Sequence, residues 1–195
     1  MKVILGIGNP GKNYELTRHN IGFQLLDSFA KKNNLQFVPS KSEYWYAESS
    51  LDSFPFILVK PTTYVNNSGF VVLELIEKYN LSEKDVLVIV DDINIELGKL
   101  RIRKSGGDGG HNGLKSIIYN LESNKFPRIR IGIKNPNENE SLVDFVLSNF
   151  TNKEIEIINN NSSLIIKLIK NFIIGGTSQM LNLYSEVKNL RNKET

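Results

Sequence analysis

The sequence has no cysteine, which excludes disulfides, thiolate metal centres and a cysteine nucleophile. It has two histidines, His19 and His111, and one tryptophan, Trp45. A metal site needs three or four convergent ligands. Two histidines far apart in the chain, with no H-x-x-x-H spacing, argue against one, and no metal is expected. No serine stands in a G-x-S-x-G elbow. Long hydrophobic runs are also missing: Leu164 to Ile174 is interrupted by Lys167, Lys170 and Asn171, too charged to cross a bilayer. Met1-Lys2 leads directly into an apolar strand pattern, so no signal peptide is expected, and the chain is read as soluble and cytoplasmic. A net charge of +3 is too small to mark a nucleic-acid binder by itself, so that case rests on where the basic residues cluster.

What is present is an ordinary core-forming composition, 40 % hydrophobic over 195 residues, read as one domain over 1–195. The organising stretch is Gly6-Ile7-Gly8-Asn9-Pro10-Gly11, between the strand pattern Val3-Ile4-Leu5 and a helix in which Phe23, Leu25, Leu26 and Phe29 recur. Thr17 is read as that helix's N-cap, which puts His19 in its first turn. Gly6, Gly8 and Gly11 satisfy G-x-G-x-x-G, the dinucleotide fingerprint. That motif needs the helix to open inside it and an acidic residue on a second strand about 20 residues on. Here a turn follows, and Ala30-Lys31-Lys32 occupies the acidic position, so dinucleotide binding is disfavoured and no cofactor is expected.

Further along, Tyr44 to Leu51 and Phe54 to Lys60 read as a hairpin. Asn67 or Ser68 is read as the cap of a helix carrying Val72, Leu75, Ile76 and Tyr79 on one face. Val86 to Val90 is a strand buried on both faces, ending in Asp91-Asp92. Leu100 to Lys104 alternates, Ser105 to Gly110 is a glycine-rich loop, His111 to Leu121 is a helix, and Arg128 to Ile133 is the last strand. Ser141 to Leu147 reads as a short helix, and Thr151 as the cap of one running to Ile174. Gly175-Gly176 stops or kinks that helix before a last one from Gln179 to Leu190. The fold class is therefore α/β: a single domain with a twisted, mixed, mostly parallel sheet sandwiched between helices, and a helical C-terminal segment.

In such sheets ligands bind beyond the carboxyl ends of the strands. Asn9 and His19 follow the first strand, Asn66 the hairpin, Asp91 ends the aliphatic strand, and His111 and Asn112 follow the glycine loop. Each also has a plainer reading, as a helix cap, a turn opener or an Asx-turn. The sharper reading takes His19 as a general base oriented by Asp91, with water as the nucleophile. Asparagine amides suit an ester or amide in a peptide-like substrate, one of them helping to hold an oxyanion. Lys99, Arg101 and Arg103 share one strand face, as do Arg128 and Arg130. If the two strands are adjacent, these stripes form a phosphate-binding strip, with Lys104, Lys115 and Lys134 nearby; otherwise they are solvated faces.

Three blocks resemble the bacterial-type peptidyl-tRNA hydrolases: Gly6 to Gly11 with Tyr14-x-x-Thr17-Arg18-His19-Asn20-x-Gly22-Phe23, Lys60 to Gly69, and Gly106 to Ser116. Their order and spacing hold from about Lys2 to Lys134. The resemblance implies a monomeric α/β enzyme without metal or cofactor that cleaves the ester joining a peptide to the tRNA 3′ end. By it, His19 is the catalytic base and Asp91 its partner. Asn9, Asn66 and Asn112 position substrate, His111 shapes the cleft, and Tyr14 and Tyr64 belong to the same substrate-binding set. Arg103 and Arg130 match tRNA-phosphate positions, and Arg101 and Arg128 extend their stripes. Val65 replaces the family's common methionine and Asn94 an aspartate. The competing reading is a non-catalytic RNA-binding relative of the same fold.

Overall fold

The chain packs two hydrophobic layers against opposite faces of one sheet, and the strand pattern dictates which residue enters which layer. In β1 (Lys2–Gly6), Ile4 enters the layer built with α1 (Ile21–Lys32), while Val3 and Leu5 enter the other. The computed structural model describes residues 1–134 and 141–191. Among these, seven strands form a sheet in the order β2-β3-β4-β1-β5-β7-β6. They are β2 (Val38–Pro39), β3 (Tyr44–Leu51), β4 (Phe54–Pro61), β5 (Val86–Asp92), β6 (Leu100–Arg103) and β7 (Arg128–Gly132), besides β1. The four central strands, β4-β1-β5-β7, run parallel, and the pairings at both edges are antiparallel. β5 is buried along its whole length, as its unbroken aliphatic run requires.

On one face lie α2 (Ser68–Tyr79) and α3 (Asn112–Leu121). On the other lie α1, α4 (Leu142–Leu147), α5 (Asn152–Asn159) and α6 (Ser162–Arg191). α6 is bent at Gly176, whose φ of 67° leaves the helical region, as the glycine pair predicts. The glycines of the opening motif serve packing. A Cβ on Gly6 would sit 2.6 Å from the Gly22 carbonyl oxygen, and one on Gly8 would sit 2.9 Å from the Phe23 ring. The turn is thus packed directly against α1.

Several boundaries differ from those the sequence predicts. α1 starts at Ile21 after a 3-10 turn, Arg18–Asn20, so Thr17 caps no α-helix; its hydroxyl donates to the Tyr14 carbonyl at 2.8 Å. Neither Asn67 nor Ser68 caps α2 through its side chain, and the Ser68 hydroxyl donates to the Val65 carbonyl at 2.9 Å. The long helix expected from Thr151 is two helices. Thr151 and Glu154 form a capping box for α5, which ends in the run Asn159-Asn160-Asn161. Asparagine side chains compete with helical backbone bonding, and the Asn161 amide donates to the Gly98 carbonyl at 2.9 Å. The two-residue β2 has no counterpart in the sequence pattern.

Candidate active site

The parallel centre of the sheet carries Asp91 to the end of β5, and two other segments deliver a histidine each to the same carboxylate oxygen. His19, from the 3-10 turn before α1, places Nδ1 at 2.9 Å from Asp91 Oδ1. His111, at the N-cap of α3, places Nε2 at 3.0 Å from it. The rings lie 4.9 Å apart between centroids. The tautomers follow from the remaining partners. His111 Nδ1 accepts from the backbone N–H groups of Gly113 and Leu114, at 3.1 and 3.4 Å, so its proton resides on Nε2 and points at Asp91. With Asp91 ionised, neutral His19 also donates through Nδ1. Its Nε2 is left with a lone pair and no hydrogen bond to the described residues.

Burial alone would raise the Asp91 carboxyl. The electrostatic pull and the hydrogen bonds of His111 and His19 outweigh it and hold the group well below its usual range. For His19, burial acts to lower the pKa, and the hydrogen bond and charge of Asp91 overcome it, so the net shift is upward from 6.5. Both shifts favour an anionic Asp91 beside an imidazole ready to take a proton.

His19, Asp91 and His111 bring three ligand-type atoms within 4.8 Å of one another, so the distance of the two histidines in sequence is no argument against a metal. The donor chemistry is. Both nitrogens of His111 and one of His19 are already committed, which leaves a single free imidazole nitrogen where a metal needs three or four ligands.

The cleft over His19 has a volume of about 170 Å³. Its walls include Asp91, Asp92, His111, Asn112 and the loop glycines Gly109 and Gly110, together with Leu142, Val143 and Val146 of α4. Of the residues singled out from the sequence, His19, Asp91, His111, Asn112 and Arg130 meet here. Asn9 does not. Its side-chain oxygen accepts the Val65 N–H at 3.1 Å, tying the β4–α2 loop to the β1 turn, and the residue lines a neighbouring groove. Asn66 and Tyr64 are exposed on that loop and do not line the cleft, nor does half-buried Tyr14. Val65 is buried in the core rather than forming a free wall.

The basic stripes are adjacent, with Arg101 opposite Arg130 and Arg103 opposite Arg128. They are not one strip. Arg128 is 1 % exposed, stacked 4.0 Å from the Phe126 ring, and donates to the carbonyls of Gly106, Gly107, Asn124 and Phe126. Burial, with the charge of Arg130, lowers its pKa to about 10. Spent in this way, Arg128 is corrected from a phosphate ligand to a clamp on the glycine loop. Arg130 is an intermediate case: it forms an ion pair with Asp92 at 3.1 Å and donates to the Asp108 carbonyl at 2.8 Å. Arg101 and Arg103 remain exposed.

Three further residues matter that the sequence pattern does not single out. Asn20 clips the turn by accepting from the Asn9 N–H at 2.8 Å and donating to the Asn9 carbonyl at 2.9 Å. Asp92 neutralises Arg130. Arg18, beside His19, is sandwiched 4.6 and 4.9 Å from the rings of Phe145 and Phe150 and forms an ion pair with Glu154 at 3.0 Å, anchoring the α4 wall to the His19 turn. Adjacency to a candidate base, as in Arg18-His19-Asn20, is the signal available for two of them.

The family model described as peptidyl-tRNA hydrolase matches residues 3–193. The peptidyl-tRNA hydrolase of Clostridium beijerinckii is 43 % identical over 96 % of this chain and 97 % of its own, and that of Clostridium botulinum strain Hall is 41 % identical over 96 % and 98 %. A crystal structure of peptidyl-tRNA hydrolase from Acinetobacter baumannii superposes with a TM-score of 0.87 at 29 % identity, covering 94 % of this chain and 93 % of that one.

Proposed function

The chain belongs to the peptidyl-tRNA hydrolase family, and from that premise we propose how its own residues carry out the reaction. It is an enzyme that hydrolyses the ester between a peptide and the 3′ end of tRNA. In the proposed mechanism His19 Nε2 takes a proton from a water in the cleft as the water oxygen attacks the ester carbonyl carbon. Asp91 holds the ring through Nδ1 and stabilises the imidazolium that forms. The amide of Asn112, on the cleft wall, stabilises the oxyanion. His19 then returns the proton to the departing ribose oxygen, and peptide acid and tRNA leave. Asn9 supports the loop from which Asn66 and Tyr64 reach the peptide, and Tyr14 supports the turn beneath His19. Arg101 and Arg103 supply the phosphate contacts, with Arg130 beside them. The reading has the protein acting as a monomer in the cytoplasm; among the described residues no helix is long and apolar enough to cross a membrane.

The observation that carries the mechanism is the open Nε2 of an imidazole whose other nitrogen is held by a buried carboxylate. Nothing in the comparisons supports the non-catalytic alternative. Purified wild type should cleave N-acetylaminoacyl-tRNA, and His19→Ala should lower turnover by at least about 100-fold, the usual scale for a general base. Its melting temperature should stay near that of wild type. A variant that retained near wild-type turnover would remove His19 from the role of base.

A further inference from the structure

A second and larger groove, of about 930 Å³, opens at the same end of the sheet and takes in Asn9 and Asn20. The mechanism above leaves it unused. Its otherwise largely polar lining includes three aromatic rings, Phe23, Phe37 and Trp45, the last 43 % exposed. Trp45 and Lys60 are register partners on β3 and β4 and so present their side chains on one face. The Lys60 ammonium lies 4.2 Å from the centroid of Phe37 and 5.8 Å from that of Phe23, and pairs with Asp27 at 2.6 Å.

The geometry points to this groove as a subsite for the peptide part of the substrate, taking aliphatic or aromatic side chains upstream of the residue esterified to tRNA. This rests on the reading of His19 as the reacting centre. Two observations select the occupant. The first is sheet order: the groove takes its strand residues from β3 and β4, the exposed arginines lie on β6 at the opposite edge, and His19 and Asp91 stand between them. An ester cleaved in the middle, with its tRNA towards β6, sends its acyl side towards β4. Asn20 leads the same way, since it follows His19 in the chain and lines the groove. The second is charge. Glu15 and Asp27 face a single cation, Lys60, which Asp27 already neutralises, so a polyanionic RNA strand is disfavoured while an apolar or cationic peptide is not.

The test uses two substrates that share one tRNA, N-acetylaminoacyl-tRNA and an N-acetyl-tripeptidyl-tRNA with leucine or phenylalanine at its upstream positions. Trp45→Ala should raise KM for the tripeptidyl substrate by roughly tenfold, the scale of removing one aromatic partner, and leave the shorter substrate unchanged. Trp45→Phe should restore most of the affinity. Trp45 is the only tryptophan in the chain, so wild-type fluorescence should respond to the N-acetyl-tripeptide amide and not to deacylated tRNA. Equal losses on both substrates, no loss on either, or a fluorescence response to deacylated tRNA alone would each overturn the subsite. Wild type that cleaved neither substrate would overturn the reaction itself, and the subsite with it.

Discussion

Two buried charges stand on neighbouring strands, Asp91 near the end of β5 and Arg128 at the start of β7, and they are put to opposite uses. Each must be partnered, because an isolated charge out of water is prohibitively costly. Asp91 is partnered by two imidazoles, groups that can exchange a proton, and one of them keeps a nitrogen facing the cleft. Arg128 is partnered by backbone carbonyls and an aromatic face, which cannot titrate and cannot leave unless the loop moves. A buried charge whose partners retain an open valence can do chemistry. One whose partners are saturated holds a shape. Arg130, shared between Asp92 and the Asp108 carbonyl beside the same cleft, stands between the two cases.

The largest effect expected from breaking this contrast is at Asp91. Asp91→Asn keeps the side chain's shape and removes its charge. Turnover should fall by at least about tenfold while remaining measurable, since His19 is still present. The pH dependence is the sharper readout. In wild type the base form of His19 is lost as pH falls through a value raised above 6.5, so kcat/KM should decline on that limb. Without the carboxylate the raising influence disappears, and the limb should move to lower pH. An unmoved limb would mean that another group sets His19.

Stability follows the same linkage. The depressed Asp91 contributes stability above its unfolded value near 3.8, lost as pH falls through the folded value. The raised His19 contributes stability below 6.5, lost as pH rises through its folded value. The gap in melting temperature between wild type and Asp91→Asn should therefore be widest between those limits.

The sequence is most legible where topology does the placing. β5 is a run of five aliphatics, so it had to be central, and Asp91-Asp92 had to emerge at the sheet edge where His19 follows β1. No pattern in the chain says that both histidines meet one oxygen; that depends on the α3 N-cap, set by the glycine loop ahead of it. Alternation correctly places Arg101, Arg103, Arg128 and Arg130 on one sheet face. It does not say what covers that face. The loop Ser105 to Gly110 folds back over Arg128, and only the position of its carbonyls separates a buried clamp from an exposed contact. Asn9 lies beside the His19 cleft rather than in it for a similar reason: its oxygen is taken by the Val65 N–H, and it lines the neighbouring groove.

Arg128 should break the contrast from the other side. Arg128→Met fills much of the same volume but strands several carbonyls, so stability should fall by about 1–3 kcal/mol, visible as a lower melting temperature. The salt dependence of tRNA affinity should keep its slope, because the guanidinium reaches no solvent-facing ligand. A flattened slope at unchanged stability would return Arg128 to the phosphate-binding set.

The smallest effect is expected at the exposed pair. Arg101 and Arg103 stand on the edge strand β6 with their side chains open to solvent, and among the described residues Arg103 donates only to the carbonyl of Ile102 beside it. Removing them strands no buried group, so Arg101→Ala with Arg103→Ala should melt near wild type. If they hold phosphate equally in the ground and transition states, KM for peptidyl-tRNA should rise while kcat holds. Each phosphate interaction removed should also flatten the log–log salt dependence of affinity by roughly 0.7–0.9. A peptide ester of adenosine, which carries no tRNA body, should be cleaved at the same rate by wild type and the double variant. That comparison isolates the grip from the chemistry. Equal losses on both substrates would assign the arginines to folding or catalysis, and no loss on either would leave β6 as a solvated face, with the phosphate-binding groups to be sought at Lys104, Lys115 or Lys134.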